Sequence, residues 1–185
     1  MSAYHLFMAL EHAILVSLSE KSATGYDLAR RFDASIGHFW RATHQQIYKV
    51  LARMEEAGLV STKLAKRDGR LDKKTYSITR AGEEELVRWS REPSNREVAR
   101  SDFTVKLRGL ADPEAMKADA QRRRDEIATE LAAFEESQAK HYPDPQTLTG
   151  KKLGAYLALR GGIHYARADL AWCDEILARL NSEEH

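Results

Sequence analysis

The sequence predicts a mainly α chain with one small β-hairpin, compact in its first half and built of long helices in its second. Three observations carry this. Apolar residues recur at helical spacing along most of the 185 residues. One pair of β-rich runs, LVSTKL (59–64) and KKTYSI (73–78), flanks the turn-forming AKRDGRLD. Beyond Pro93 the helix breakers thin out and the helices between them lengthen.

Composition sets the class. Hydrophobic residues make up 43% and charged residues 31%, as in an ordinary globular protein. No apolar run approaches the roughly 20 residues of a membrane-spanning helix, so no membrane partner is expected. The N-terminal MSAYHLFMALEHAILVSLSEK has no basic residue before its apolar stretch, and Glu11 and His12 interrupt it. It reads as a core helix and not as an export signal. The single cysteine, Cys173, fits a reducing cytoplasm. The net charge of +1 hides an asymmetry. Residues 1–92 carry 15 Lys/Arg against 12 Asp/Glu, and residues 93–185 carry 14 against 16. The first half therefore leans slightly toward an anionic partner.

The elements of the first half follow in order. Leu6 to Leu18 places Leu10, Ile14, Leu15 and Leu18 on one helical face. Thr24 is a candidate N-cap, with Asp27 favouring the first turn of a short helix through Leu28, Ala29 and Phe32. SIGHFW (35–40) connects to a third helix. There Thr43 and Gln46 have the spacing of a capping box, and Gly58 stands where a left-handed C-cap residue would. The hairpin follows, and then Thr79 caps RAGEEELVRWS, whose acids fall in the first turns. Pro93-Ser94-Asn95 marks the boundary between a first domain, 1–92, and a second, 93–185.

Three helices and a hairpin make a winged helix-turn-helix, in which the second helix of the pair lies in the major groove of DNA. At about 100° per residue, Ile47, Val50, Leu51 and Met54 cluster on one side of the third helix, and Gln45 and Lys49 point the opposite way. Gln46, Tyr48 and Arg53 lie on the flanks. Gln pairs with the N6/N7 edge of adenine and Lys with O6/N7 of guanine. Arg41, Thr43, His44 and Tyr48 are phosphate-contact types. Glu55 and Glu56 mark the end that stays out of the groove. Any surface helix carries Gln and Lys, so the wing decides the matter. From Val60 to Arg80 there are seven basic residues, among them Lys66, Arg67, Arg70, Lys73 and Lys74, against two acids. Such a wing suits phosphate neutralisation, the main source of DNA affinity.

The stretches ATGYDLARRF, HFWRATHQQIYKVLARMEEAGLV and GRLDKKTYSITRAGEEEL resemble the DNA-binding domain of the PadR-family transcriptional regulators, over about residues 9–90. The later helices resemble the virulence-activator-like branch of that family. The resemblance implies a homodimer held by those helices, a palindromic operator, and repression or activation of neighbouring genes. It implies that the hydroxyls of Tyr26 and Tyr48 meet phosphates, and it adds Thr24 to the DNA-contacting set. Some relatives sense phenolic acids or other small aromatic effectors.

The second half predicts a helix from about Arg96 to Leu110. A long helix follows, from the Asp112-Pro113 start, an N-cap with Pro at N1, to about His141. A last helix runs from about Lys151 to Leu180. In it Tyr156, Leu159, Ile163, Ala166, Leu170, Cys173, Leu177 and Leu180 recur at alternating spacings of 3 and 4, a heptad seam. A weaker seam runs through Met116, Ala120, Ile127, Leu131 and Phe134. An antiparallel, coiled-coil-like hairpin buries one seam against the other, and the seam is assigned to dimerisation. A further apolar strip, Leu153, Leu157, Ala168, Ala171 and Trp172, needs another cover, either the first domain or a second copy of the chain.

The histidines show no metal-ligand spacing and no phosphate-binding glycine loop appears, so no cofactor, metal or catalysis is expected. Gly161-Gly162 reads as a close helix crossing, and Cys173 as a small core residue. Phe39, Trp40, Trp89 and Phe103 either pack or line a ligand pocket between domains. The alternative to DNA binding is a coiled-coil dimer whose winged helix binds protein, which rising salt would leave largely unaffected.

Overall fold

A computed structural model describes residues 3–34, 42–67, 70–94 and 101–182, with the backbone alone at 3–9, 33–34, 66–67 and 70–73. The chain divides into two compact units, Met1–Arg96 and Glu97–His185.

The first unit contains α1 (Ala3–Glu20), β1 (Ala23–Thr24), α2 (Gly25–Ala34), α3 (His44–Glu56), β2 (Val60–Arg67), β3 (Arg70–Ile78) and α4 (Arg80–Ser90). Its core is the one the helical spacing predicts. Leu10, Ile14, Leu15 and Leu18 of α1 are buried with Leu28, Ala29 and Phe32 of α2 and Ile47, Val50, Leu51 and Met54 of α3. The capping box at Thr43 is complete: the Gln46 amide donates to Thr43 Oγ1 at 3.2 Å, and the Thr43 amide donates to Gln46 Oε1 at 2.8 Å.

Gly58 takes the left-handed conformation, φ 71°. Its amide donates to the Glu55 carbonyl, and the Leu59 amide donates to the Met54 carbonyl. This pair of bonds turns the chain sharply into the wing.

The sheet differs from the expected hairpin in two ways. It has three antiparallel strands in the order β1-β3-β2, with Ala23 opposite Tyr76 and Thr24 opposite Thr75. A two-residue strand has no period of its own, and only its distant partner defines it. The hairpin strands are also longer than the β-rich runs, reaching Arg67 and beginning at Arg70. The ladder runs from Val60–Ile78 to Arg67–Arg70, with an irregularity between Ala65 and Arg67. Backbone pairing extends the strands through residues of indifferent β propensity. Asp68 and Gly69 lie outside the described residues, as does SIGHFW.

At the start of α4, Thr79 Oγ1 accepts from the Gly82 amide at 3.2 Å. A Cβ on Gly82 would stand 2.3 Å from the Leu59 carbonyl oxygen and 2.8 Å from Ile78 Cγ1. Only glycine lets α4 sit this close to the root of the wing. Across the core, His12 of α1 is buried, stacks on Trp89 with ring centroids 4.5 Å apart, and bonds Glu85 at 2.9 Å.

The second unit contains α5 (Asp102–Gly109), α6 (Pro113–His141), a 3₁₀ turn at Pro145–Thr147 and α7 (Gly150–Ser182). The expected start near Arg96 is corrected. Ser101 is extended, and its hydroxyl accepts from the Thr104 amide, so the helix begins at Asp102. Asp112 caps α6 with Pro113 in its first turn. Ile163, Ala166 and Cys173 of the heptad seam are buried against Ile127 and Phe134, with Leu131, Leu159 and Leu170 packed around them. Leu180 joins Phe103, Met116 and Ala120, with Leu177 beside them, and Tyr156 meets Tyr142.

The hairpin core takes part of the seam within one chain, where Ile163 and Cys173 are fully covered. Burial raises the Cys173 thiol pKa, as suits a packed residue. A Cβ on Gly161 would meet nothing within 4 Å, so no close crossing is built on that glycine.

Candidate nucleic-acid interface

The core of the first unit leaves the outer face of α3 exposed. On α3, Gln45, Tyr48 and Lys49 are exposed, while Ile47, Val50, Leu51 and Met54 are buried behind them. Gln45 makes no hydrogen bond to any described residue. His44 shares the exposed first turn. The capping box fixes this end of α3, where amide donors and the positive dipole end gather.

The N-terminus of α2 lies beside it. A Cβ on Gly25 would stand 2.2 Å from Tyr48 Cε1, so the Tyr48 ring lies against the backbone at Gly25. Tyr26 is 58% exposed and Tyr48 46% exposed. The two phenols therefore stand near the same helix start. Thr24 caps α2: its hydroxyl donates to Asp27 Oδ2 at 2.8 Å and accepts from the Asp27 amide at 3.1 Å.

Like Thr24, further expected contact residues are engaged within the fold. Thr43 and Gln46 Oε1 close the capping box. Arg53 reaches Glu11 of α1 at 2.7 Å. Lys74 reaches back from the wing to Glu55 at 2.6 Å, and Thr62 Oγ1 donates to the same carboxylate at 2.6 Å. Lys74 also lies 5.3 Å from the Tyr76 ring centre. The Lys74 ammonium, and then the Thr62 hydroxyl, hold the Glu55 carboxyl below its ordinary pKa, and Glu55 raises that of Lys74. The last turn of α3 is thereby braced to the wing. Sequence spacing missed this brace because its members are far apart along the chain.

Lys63 is exposed on β2. Arg41 and the side chains of Lys66, Arg67, Arg70 and Lys73 lie outside the described residues, as do Phe39 and Trp40. Trp89 and Phe103 each pack within their own unit, against His12 and Trp172. Among the described residues, no group of three His, Cys, Asp or Glu side chains is placed to hold a metal ion. No described helix is long and apolar enough to cross a membrane.

A helix-turn-helix with a β wing and an open reader face is the architecture of a transcriptional regulator. The profile of the transcriptional regulator PadR-like family matches residues 14–88, and that of the virulence activator alpha C-terminal family matches residues 99–181. The chain is 40% identical over 188 residues to the probable transcriptional regulator Rv1176c of Mycobacterium tuberculosis, covering 95% of this chain and 100% of that protein. It is 27% identical to the negative transcriptional regulator PadR of Bacillus subtilis, over 94% of this chain and 98% of that one.

Among solved structures, it resembles the virulence activator AphA of Vibrio cholerae with TM-score 0.75 and 35% identity, over 94% of this chain and 99% of that one. It resembles Bacillus subtilis PadR in complex with operator DNA with TM-score 0.80 and 25% identity, over 93% and 99%. The chain belongs to the PadR family of transcriptional regulators, and these are not enzymes.

Proposed function

We propose that the chain acts in the cytoplasm as a homodimer on a palindromic operator, with α3 entering the major groove N-terminus first. The observation that carries this reading is the open face of α3. Gln45, Tyr48 and Lys49 project from a helix whose other side is locked into the core, and its Tyr48 ring lies against the backbone at Gly25, next to Tyr26 in the chain. Gln45 and Lys49 read bases, and Tyr26, Tyr48, His44 and the wing hold the backbone. Two copies place their readers about one helical turn, roughly 34 Å, or a multiple of it apart.

Pairing of two chains falls to the apolar strip left outside the hairpin core. On α7, Leu157 is 57% and Tyr165 80% exposed, and Ala168 and Ala171 are exposed beside them. Response to a small aromatic effector belongs to the same proposal, on the family resemblance alone.

Selection of bound fragments from genomic DNA, with light scattering of the free protein, tests the reading. The expected outcome is a palindromic consensus and a mass near twice 21.0 kDa. An asymmetric site, or a monomeric mass at micromolar concentration, would overturn it.

A further inference from the structure

We propose that the corner between α1 and α2 seats a DNA backbone phosphate next to the reader helix, with Lys21 and Arg30 as its cationic ligands. This rests on the DNA-binding reading and adds a site to it.

The corner is a concavity of about 550 Å³ lined by Lys21, Ser22, Thr24, Asp27, Arg30 and Arg31, among others. Three cations thus face one carboxylate. Arg31 serves the frame, donating to the Lys21 carbonyl at 2.7 Å and the Ser22 carbonyl at 3.2 Å. Those two oxygens, which would otherwise repel an anion, are satisfied. Asp27 is turned to the Thr24 hydroxyl in the helix cap, so Thr24 shapes the corner and its proton is already committed. Ser22 Oγ is 2.7 Å from Ser77 Oγ, which ties the corner to β3.

Lys21 and Arg30 are exposed, and their side chains form no hydrogen bond or ion pair with any described residue. They are the two cations the fold leaves uncompensated in the concavity. Two nearby cations at a polar, open concavity suit a phosphate and disfavour an apolar or cationic ligand.

The location selects DNA as the source of that phosphate. Thr24 lines the corner, and the next residue, Gly25, lies against Tyr48 on the open face of α3. Tyr26 and Arg30 are four apart on α2, so they share a helical face. A strand passing the start of α3 meets Tyr48, then Tyr26, then the two cations. The first helix of a helix-turn-helix crosses the backbone at such a place.

The test is the salt dependence of DNA binding by the full chain, Lys21→Ala, Arg30→Gln and the double variant. Each is measured on a fragment recovered by the selection and on an unrelated fragment of equal length. Each cation removed should lower the slope of log K against log salt by about 0.9. A fourfold rise in salt should then weaken the wild type about twelvefold more than the double variant. Affinity should fall by the same factor on both fragments, with the urea midpoint unchanged. Lys21→Arg should restore the slope.

A double variant with wild-type slope and affinity overturns the corner and leaves the reader standing. So does a loss confined to the selected fragment. Absence of salt-dependent binding in the wild type itself overturns both readings.

Discussion

α3 and α7 are both amphipathic helices, and they use their polar side chains in opposite ways. Along α7 the charges reach sideways: Arg167, Asp169 and Asp174 pair with Glu135, Arg123 and Arg124 of α6. Exposed pairs contribute little energy singly, but three in series specify which turns of the two helices face each other. On α3, Thr43 and Gln46 close the first turn, and Arg53 and Glu55 brace the last. Gln45, in the first turn, stays exposed beside the capping box. The charges of α7 set its register on α6, whereas these contacts of α3 fix its two ends.

The largest effect should come from breaking the packed helix. Ile163→Ala is expected to cost about 3 kcal/mol, the usual range for emptying a fully buried aliphatic site, read as an earlier urea transition. A cost near zero would mean that the seam is not the core of the hairpin.

Next comes the open helix. Gln45→Ala should remove roughly 1–3 kcal/mol of discrimination at one operator position while changing stability by under about 0.5 kcal/mol. An unaltered consensus and affinity would show that the reading face is elsewhere.

The third effect concerns the α1–α4 contact. Arg88 first, and His12 after it, hold the Glu85 carboxyl at about 2, below its ordinary 4.5. A depressed carboxyl contributes stability that is full above pH 4.5 and lost as pH falls toward 2. Glu85→Gln should therefore lower stability by about 1–2 kcal/mol at neutral pH and flatten the decline between pH 4.5 and 2. Urea midpoints measured across that range check the sign, and an equally steep decline in the variant would refute it.

The smallest effect separates bracing from binding within the wing. Lys74→Met should leave the salt slope of DNA binding as it was, because this ammonium turns toward Glu55. A slope lowered by about 0.9 would make Lys74 a phosphate contact after all.

What the sequence discloses follows the range of the signal. Thr43 with Gln46, Gly58, and Pro113 after Asp112 are local arrangements, and each stands in the structure where its spacing puts it. The alternating seam of α7 likewise meets the seam of α6. β1 was invisible because Ala23 and Thr24 become a strand only beside Tyr76 and Thr75. The Glu55–Thr62–Lys74 brace and the Arg53–Glu11 pair were invisible for the same reason. By spacing alone Arg53 and Lys74 are outward cations, and only folding gives them inward partners. The exposure of Tyr165, missing from the expected apolar strip, is likewise a property of how α7 lies on α6.

The segment Gly58-Leu59 has a mechanical consequence. Leu59 is hydrogen-bonded to Met54 of α3 through its amide and to the Thr79 amide through its carbonyl, and the Thr79 hydroxyl donates to the Gly58 carbonyl. Both strands of the wing are thus clamped at one end, by the same few atoms that end α3 and begin α4. Further along the strands, Thr62 and Lys74 reach Glu55 of α3 and β1 pairs with β3. The described part of the wing is therefore fastened to the reader helix at several points, and a force on one is carried to the other.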